Sequence, residues 1–91
     1  FGKAPRSPQK LALDRHTDRR DVTVRWEPVK GAQGYNVLWG IAPDKLYSSW
    51  MVYGGNELEM KSLTIDQDYY FAVEAFNENG VSLPSETKYV E

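Results

Sequence analysis

The chain contains no cysteine, which removes disulfides, thiolate nucleophiles and every cysteine-based zinc site, and leaves the redox compartment open. It has one histidine, His16, so any nucleophile–histidine pair must use that residue. No apolar run approaches the ~18 residues of a membrane span, and no basic stretch followed by an apolar one marks a leader peptide. No basic field is present either: the net charge is −2, so neither nucleic acid nor membrane insertion is expected. Helical periodicity, internal repeats and low-complexity tracts are all missing. Gly54-Gly55 is followed by neither a Lys-Ser/Thr pair nor a helix, which excludes a phosphate loop.

What is there is aromatic. The 91 residues carry three Trp, six Tyr and three Phe, and 41% of the chain is hydrophobic. Each aromatic ring buries on the order of 150–250 Å², so one core can close without disulfides or metal. The length implies a single domain. Phe1 is not an initiator residue, and the chain reads as a piece of a longer one whose targeting signal lies elsewhere. Residues 1–7 (FGKAPRS) read as a linker or tag remnant, and residues 8–91 as the domain.

Alternation of side chains, with period two, organises those 84 residues. Pro8 opens an edge strand to Leu13, with Leu11 and Leu13 inward, and Asp14 to Arg20 (DRHTDRR) reads as a charged loop. From Asp21 to Trp26, Val22, Val24 and Trp26 point in while Thr23 and Arg25 point out. Gly34 to Gly40 places Tyr35, Val37 and Trp39 inward. Leu46 to Tyr53 is a weaker strand, and Glu57 to Ser62 puts Leu58 and Met60 inward. The longest alternation follows Leu63, itself expected in the core: Tyr69, Phe71, Val73 and Ala75 fall on one parity and are expected inside with it. Asn79-Gly80 then offers a turn. Val81 to Tyr89 is interrupted by Pro84, which makes the last strand short or irregular at its start. Leu63 lies six residues before Tyr69, with turn-forming Asp66-Gln67-Asp68 between them, so the Tyr69 hydroxyl is expected to bond backbone just upstream. These seven short strands predict an all-β, seven-stranded antiparallel immunoglobulin-like sandwich.

Val24-Arg25-Trp26-Glu27-Pro28, Gly34-Tyr35-Asn36-Val37-Leu38-Trp39, Leu63 to Tyr69 and Ala75-Phe76-Asn77-Glu78-Asn79-Gly80 together resemble the fibronectin type III domain. The resemblance covers about residues 8–91 and implies strands A-B-E packed on C′-C-F-G. Ile65 departs from it, since the family often has Pro there. So does the Gly80-Val81-Ser82 loop, which carries no Arg-Gly-Asp. The run from Tyr35 to Tyr53, with YYFAVEAFNENGVS, further resembles fibronectin-type modules of secreted bacterial glycoside hydrolases of the family 43 type. That resemblance implies a secreted, periplasmic or cell-surface accessory module that braces a catalytic domain.

Sites of chemistry are thin. Asp14, His16 and Asp18 alternate in one loop, but Arg15, Arg19 and Arg20 crowd them, and a metal needs three or four converging donors. Glu57/Glu59 and Asp66/Asp68 are carboxylate pairs without the cleft that glycoside hydrolysis requires. No cofactor or catalytic residue is expected, and the chain reads as no enzyme. Aromatic excess remains. Leu38, Trp50, Tyr70 and Phe76 are expected to line an outer sheet face, where antiparallel sheets usually carry polar residues. The preferred partner for such a patch is a neighbouring domain of the same polypeptide. Alternatively, Trp50 with Tyr47 and Tyr53 would stack on a polysaccharide, or the module would adhere to another protein.

Overall fold

The computed structural model describes residues 3–61 and 63–90. Phe1 and Gly2 of the expected linker, Ser62 of the expected fifth strand and the final Glu91 lie outside the described residues. The described residues form eight strands: β1 Ala12–Arg15, β2 Val22–Arg25, β3 Gly34–Gly40, β4 Ser48–Tyr53, β5 Glu57–Met60, β6 Tyr69–Asn77, β7 Gly80–Val81 and β8 Lys88–Val90. One sheet runs β1-β2-β5, and the other runs β4-β3-β6 with both β7 and β8 on the far side of β6. Every pairing is antiparallel. The expected sandwich is therefore present, and its seventh strand is divided into β7 and β8.

The alternation read from sequence builds the core. All fifteen residues expected inside belong to it. Leu11, Val22, Val24, Trp26, Tyr35, Val37, Met60, Leu63, Tyr69, Phe71, Val73 and Ala75 are buried, and Leu13, Trp39 and Leu58 pack against them. Trp26 meets Tyr35 edge-on with centroids 5.1 Å apart, a favoured aromatic geometry. The corner also forms: the Thr64 N–H donates to Tyr69 Oη at 2.8 Å.

Four local expectations need correction. The first strand begins at Ala12 rather than Pro8 and extends into the supposed charged loop, through Asp14 and Arg15. Pro8 is fully buried and Lys10 adopts φ 57°, a left-handed turn that interrupts the extended run before pairing starts. Thr23 does not face solvent. It is buried, and its Oγ1 lies 2.7 Å from His16 Nε2. The weaker strand starts at Ser48, not Leu46. From Lys3 onward the supposed linker packs on the domain. Pro5 is buried, and Asn77 Nδ2 donates to the Lys3 carbonyl at 2.9 Å.

Why the last strand divides is visible in its register. Val81 faces Phe76 and Lys88 faces Phe71, so seven steps along the last strand match five along β6, an excess of two residues. Pro84 lies in the gap and has no N–H to give. The serines on either side close it. Ser82 N–H donates to the Ala75 carbonyl and Ser85 N–H to the Val73 carbonyl, each at 2.7 Å. In return Ala75 N–H donates to Ser82 Oγ at 2.8 Å and Val73 N–H to Ser85 Oγ at 2.9 Å. Hydroxyls thus accept where strand carbonyls would, and the buried N–H groups of β6 are satisfied.

Candidate functional site

Opposed residues of an antiparallel pair share a face, so register alone sorts the side chains of the larger sheet. Leu38 lies opposite Ala72 and Ser49, Asn36 opposite Glu74 and Met51, Gly34 opposite Phe76 and Tyr53, and Gly40 opposite Tyr70. Tyr70 in turn lies opposite Tyr89. Tyr35 and Val37 alternate with these residues and are buried, so the set forms the outer face.

That face is organised by the two glycines of β3. At one end Tyr53 and Phe76 meet edge-on, with centroids 5.6 Å apart and planes at 85°. The ring of Phe76 lies on Gly34, where a Cβ would sit 2.6 Å from its Cζ. At the other end Tyr70 and Tyr89 pair at 5.3 Å beside Gly40. The glycines are six positions apart, or about 20 Å of strand. Leu38, Ala72 and Met51 occupy the space between, together with a cross-strand bond from Asn36 Nδ2 to Glu74 Oε1 at 3.0 Å. The outer face is therefore two aromatic clusters joined by a narrow apolar strip with one polar pair across it.

Leu38, Tyr70 and Phe76 lie on this face and are half-buried. Trp50 does not lie there, and the expectation that it lines up with them is corrected. It stands opposite Val37, on the core side of the sheet, yet is 56% exposed. The larger sheet is four strands wide and the smaller three. Because β1 lies against β8, the surplus width emerges at β4. Trp50 overhangs the core rather than entering it.

The aromatic residues considered for sugar stacking do not form one platform. Tyr53 is on the outer face, Trp50 on the other, and Tyr47 precedes β4 and is exposed. The polar residues that could have flanked a sugar are engaged internally. Asn36 bonds Glu74, Asn56 Nδ2 donates to the Trp26 carbonyl at 2.8 Å, and Gln67 Nε2 donates to the Asp68 carbonyl at 2.9 Å.

Four of the six candidate carboxylates are also engaged. Glu57 pairs with Arg25 at 3.3 Å and Glu59 reaches Lys61 at 4.0 Å. Asp68 Oδ2 accepts from Tyr89 Oη at 2.8 Å. Asp18 accepts from Arg20 through both carboxylate oxygens, and that guanidinium holds its carboxyl below the ordinary carboxylate value. Among the described residues no group of three His, Cys, Asp or Glu is gathered that could hold a metal ion. A groove of about 820 Å³ lies between residues 3–9 and the turn after β2, and among the described residues Glu27 is the one acidic residue lining it.

Arg15 is a residue that sequence reasoning missed. Its guanidinium donates to the carbonyls of Arg19 at 2.7 Å, Gln67 at 2.8 Å and Thr64 at 2.8 Å, and lies over the Tyr69 ring at 5.3 Å. It ties the loop after β1 to the corner before β6. Its inward parity with Leu11 and Leu13 was the available signal, hidden by the charged company it keeps.

Comparison with known proteins bears on this geometry. The family model described as the fibronectin type III domain matches residues 6–91. No curated protein matches the chain. Among solved structures, a Fn3-like protein from Clostridium thermocellum is 19% identical with a TM-score of 0.87, covering 98% of this chain and 94% of that one. The FN1-FN3 domains of chicken CNTN1 are 25% identical, TM-score 0.80, covering 96% of this chain and 30% of that one. The twitchin kinase region from C. elegans is 21% identical, TM-score 0.79, covering 92% of this chain and 16% of that one.

Proposed function

The chain belongs to the fibronectin type III family, and from that premise we propose that it is a non-catalytic accessory module, bracing a neighbouring domain of the same polypeptide. The observation that carries this reading is the outer face of the larger sheet. Leu38, Met51, Tyr53, Tyr70, Phe76 and Tyr89 present apolar and aromatic surface where an isolated sheet would carry polar side chains. Similar domains in the chicken and C. elegans structures occupy 30% and 16% of longer chains, which supports a neighbour as the occupant. The residues of Tyr35 to Tyr53 and Tyr69 to Ser82, which resemble the accessory modules of secreted glycoside hydrolases, make a polysaccharide-degrading enzyme the proposed parent and the cell exterior or periplasm the proposed location.

Leu38→Asp tests the reading. The 91-residue domain should stay folded, because Leu38 faces away from the core, while in the parent chain its unfolding transition should separate from that of the neighbouring domain. Transitions that remain coupled, or a domain that no longer folds, would sink the proposal. A titration with soluble plant polysaccharides, followed by calorimetry and tryptophan fluorescence, tests the alternative. Saturable binding that disappears in Trp50→Ala would make this a carbohydrate-binding module instead.

A further inference from the structure

A sheet edge left unpaired is a template for another strand, and folded proteins guard such edges with charge, proline, bulges or inward-pointing charged residues. This sandwich has four margins, and three are guarded. Along β1, Pro8 and the left-handed Lys10 break the approach, and Arg15 points inward onto three carbonyls. The β5 margin alternates Glu57 and Glu59 with Lys61 beyond them. The margin formed by β7 and β8 contains Pro84 and two surplus residues.

The fourth margin is β4. From Leu46 to Tyr53 (LYSSWMVY) there is no charge, proline or glycine, and among the described residues β4 is paired on one side only. The register with β3 is unbroken from Tyr53 to Ser48, so no bulge bends the strand away. Trp50, Met51 and Tyr53 are exposed along it. The Val52 carbonyl oxygen lies 2.9 Å from where a Cβ on Gly34 would sit, so the polar backbone groups of Val52 face β3. By the period of two, those of Ser49, Met51 and Tyr53 face outward.

We infer that β4 pairs antiparallel with β4 of a second copy of this chain, about a two-fold axis through Met51. The strand is self-complementary in that register. Met51 meets its own counterpart, and Ser49 meets the partner's Tyr53. Each of these outward pairs exchanges two N–H···O bonds, about six across the junction. On the other face Trp50 comes to lie opposite the partner's Val52, an aromatic–β-branched pair of the kind that stabilises sheets. That contact covers the overhanging ring. A two-fold normal to the sheet keeps both cores on the same side, and closure at two copies uses up both free edges. The pairing is independent of the proposed brace, because the outer faces remain open on either side of the axis.

The absence of cysteine makes the test clean. In the 91-residue chain, Met51→Cys places two thiols on the axis, with Cα atoms about 5.5 Å apart in such a pair, inside the range a disulfide spans. With oxidised glutathione, this variant should form a linked dimer at least tenfold faster than Glu59→Cys on the guarded β5 margin. Sedimentation of the unmodified chain should show mass rising toward the dimer with concentration. Met51→Lys sets like charges face to face and should return the chain to monomer, with an unfolding midpoint that matches the unmodified chain at dilution and no longer rises with concentration. Equal cross-linking of the two cysteine variants would overturn the inference. So would a monomer at every concentration, a dimer that survives Met51→Lys, or open-ended polymers.

Discussion

The two free margins of the larger sheet solve the same problem differently. At β7–β8 the chain fits two surplus residues into the pairing and inserts Pro84. It then makes good the lost ladder with the hydroxyls of Ser82 and Ser85. At β4 the ladder is regular, the residues are uncharged, and nothing discourages a second strand. An irregular edge whose break is bridged by its own serines is closed to partners. A regular edge with apolar side chains is open to them. The difference teaches that strand regularity is not a measure of how finished a sheet is: here the broken margin is the finished one.

The comparison can be broken most forcefully from the β4 side. Gly40→Ala would set a Cβ within bonding distance of the Lys45 backbone carbonyl, and backbone has little room to give. We expect a loss of about 3 kcal/mol in urea unfolding, at the upper end of overpacking costs, with the turn into β4 displaced. A loss near zero would mean that the β3–β4 turn adapts freely and that β4 is not rigidly held.

Next comes the guarded margin. Ser85→Ala removes the acceptor of the Val73 N–H, a group on a fully buried residue, and should cost roughly 1–3 kcal/mol. Ser82→Ala should fall in the same range, and the two should not add, since they share one short segment. An unaltered midpoint in both would show that the hydroxyls are dispensable to the break. Smaller again is Tyr69→Phe, at about 1 kcal/mol. Its hydroxyl also accepts a backbone N–H, but Thr64 is exposed and water can replace the lost partner. Should Tyr69→Phe cost more than Ser85→Ala, the ranking by burial would be wrong.

Much of this was legible beforehand because it is local. The parity of Tyr69, Phe71, Val73 and Ala75 states which face is buried, whatever lies opposite. The spacing from Leu63 to Tyr69 states the corner, since a chain that must turn in six residues has few ways to do so. Pro84 announced an irregular last strand. The misreadings share a cause. Asp14 and Arg15 looked like loop because charge masked their alternation. Thr23 looked exposed because the loop carrying His16 folds over it. The outer face appeared to be one apolar patch because sequence shows parity but not the 20 Å that separates its two aromatic pairs.

Trp50 marks the boundary between the two kinds of knowledge. Its parity placed it with Val52, and Val52 does pack on the core. Whether a ring of that parity is covered depends on how wide the opposing sheet is, and three strands facing four cannot cover the last one. The sequence by itself determined the sandwich, the residues of its core, the corner and the family to which the pattern belongs, because each follows from period-two alternation and short-range turns. Only the tertiary structure decided which margin was left open, which carbonyls Arg15 would hold, and where the serine hydroxyls replace the ladder. Those depend on segments far apart in the chain, and on a mismatch of sheet widths that no local pattern records.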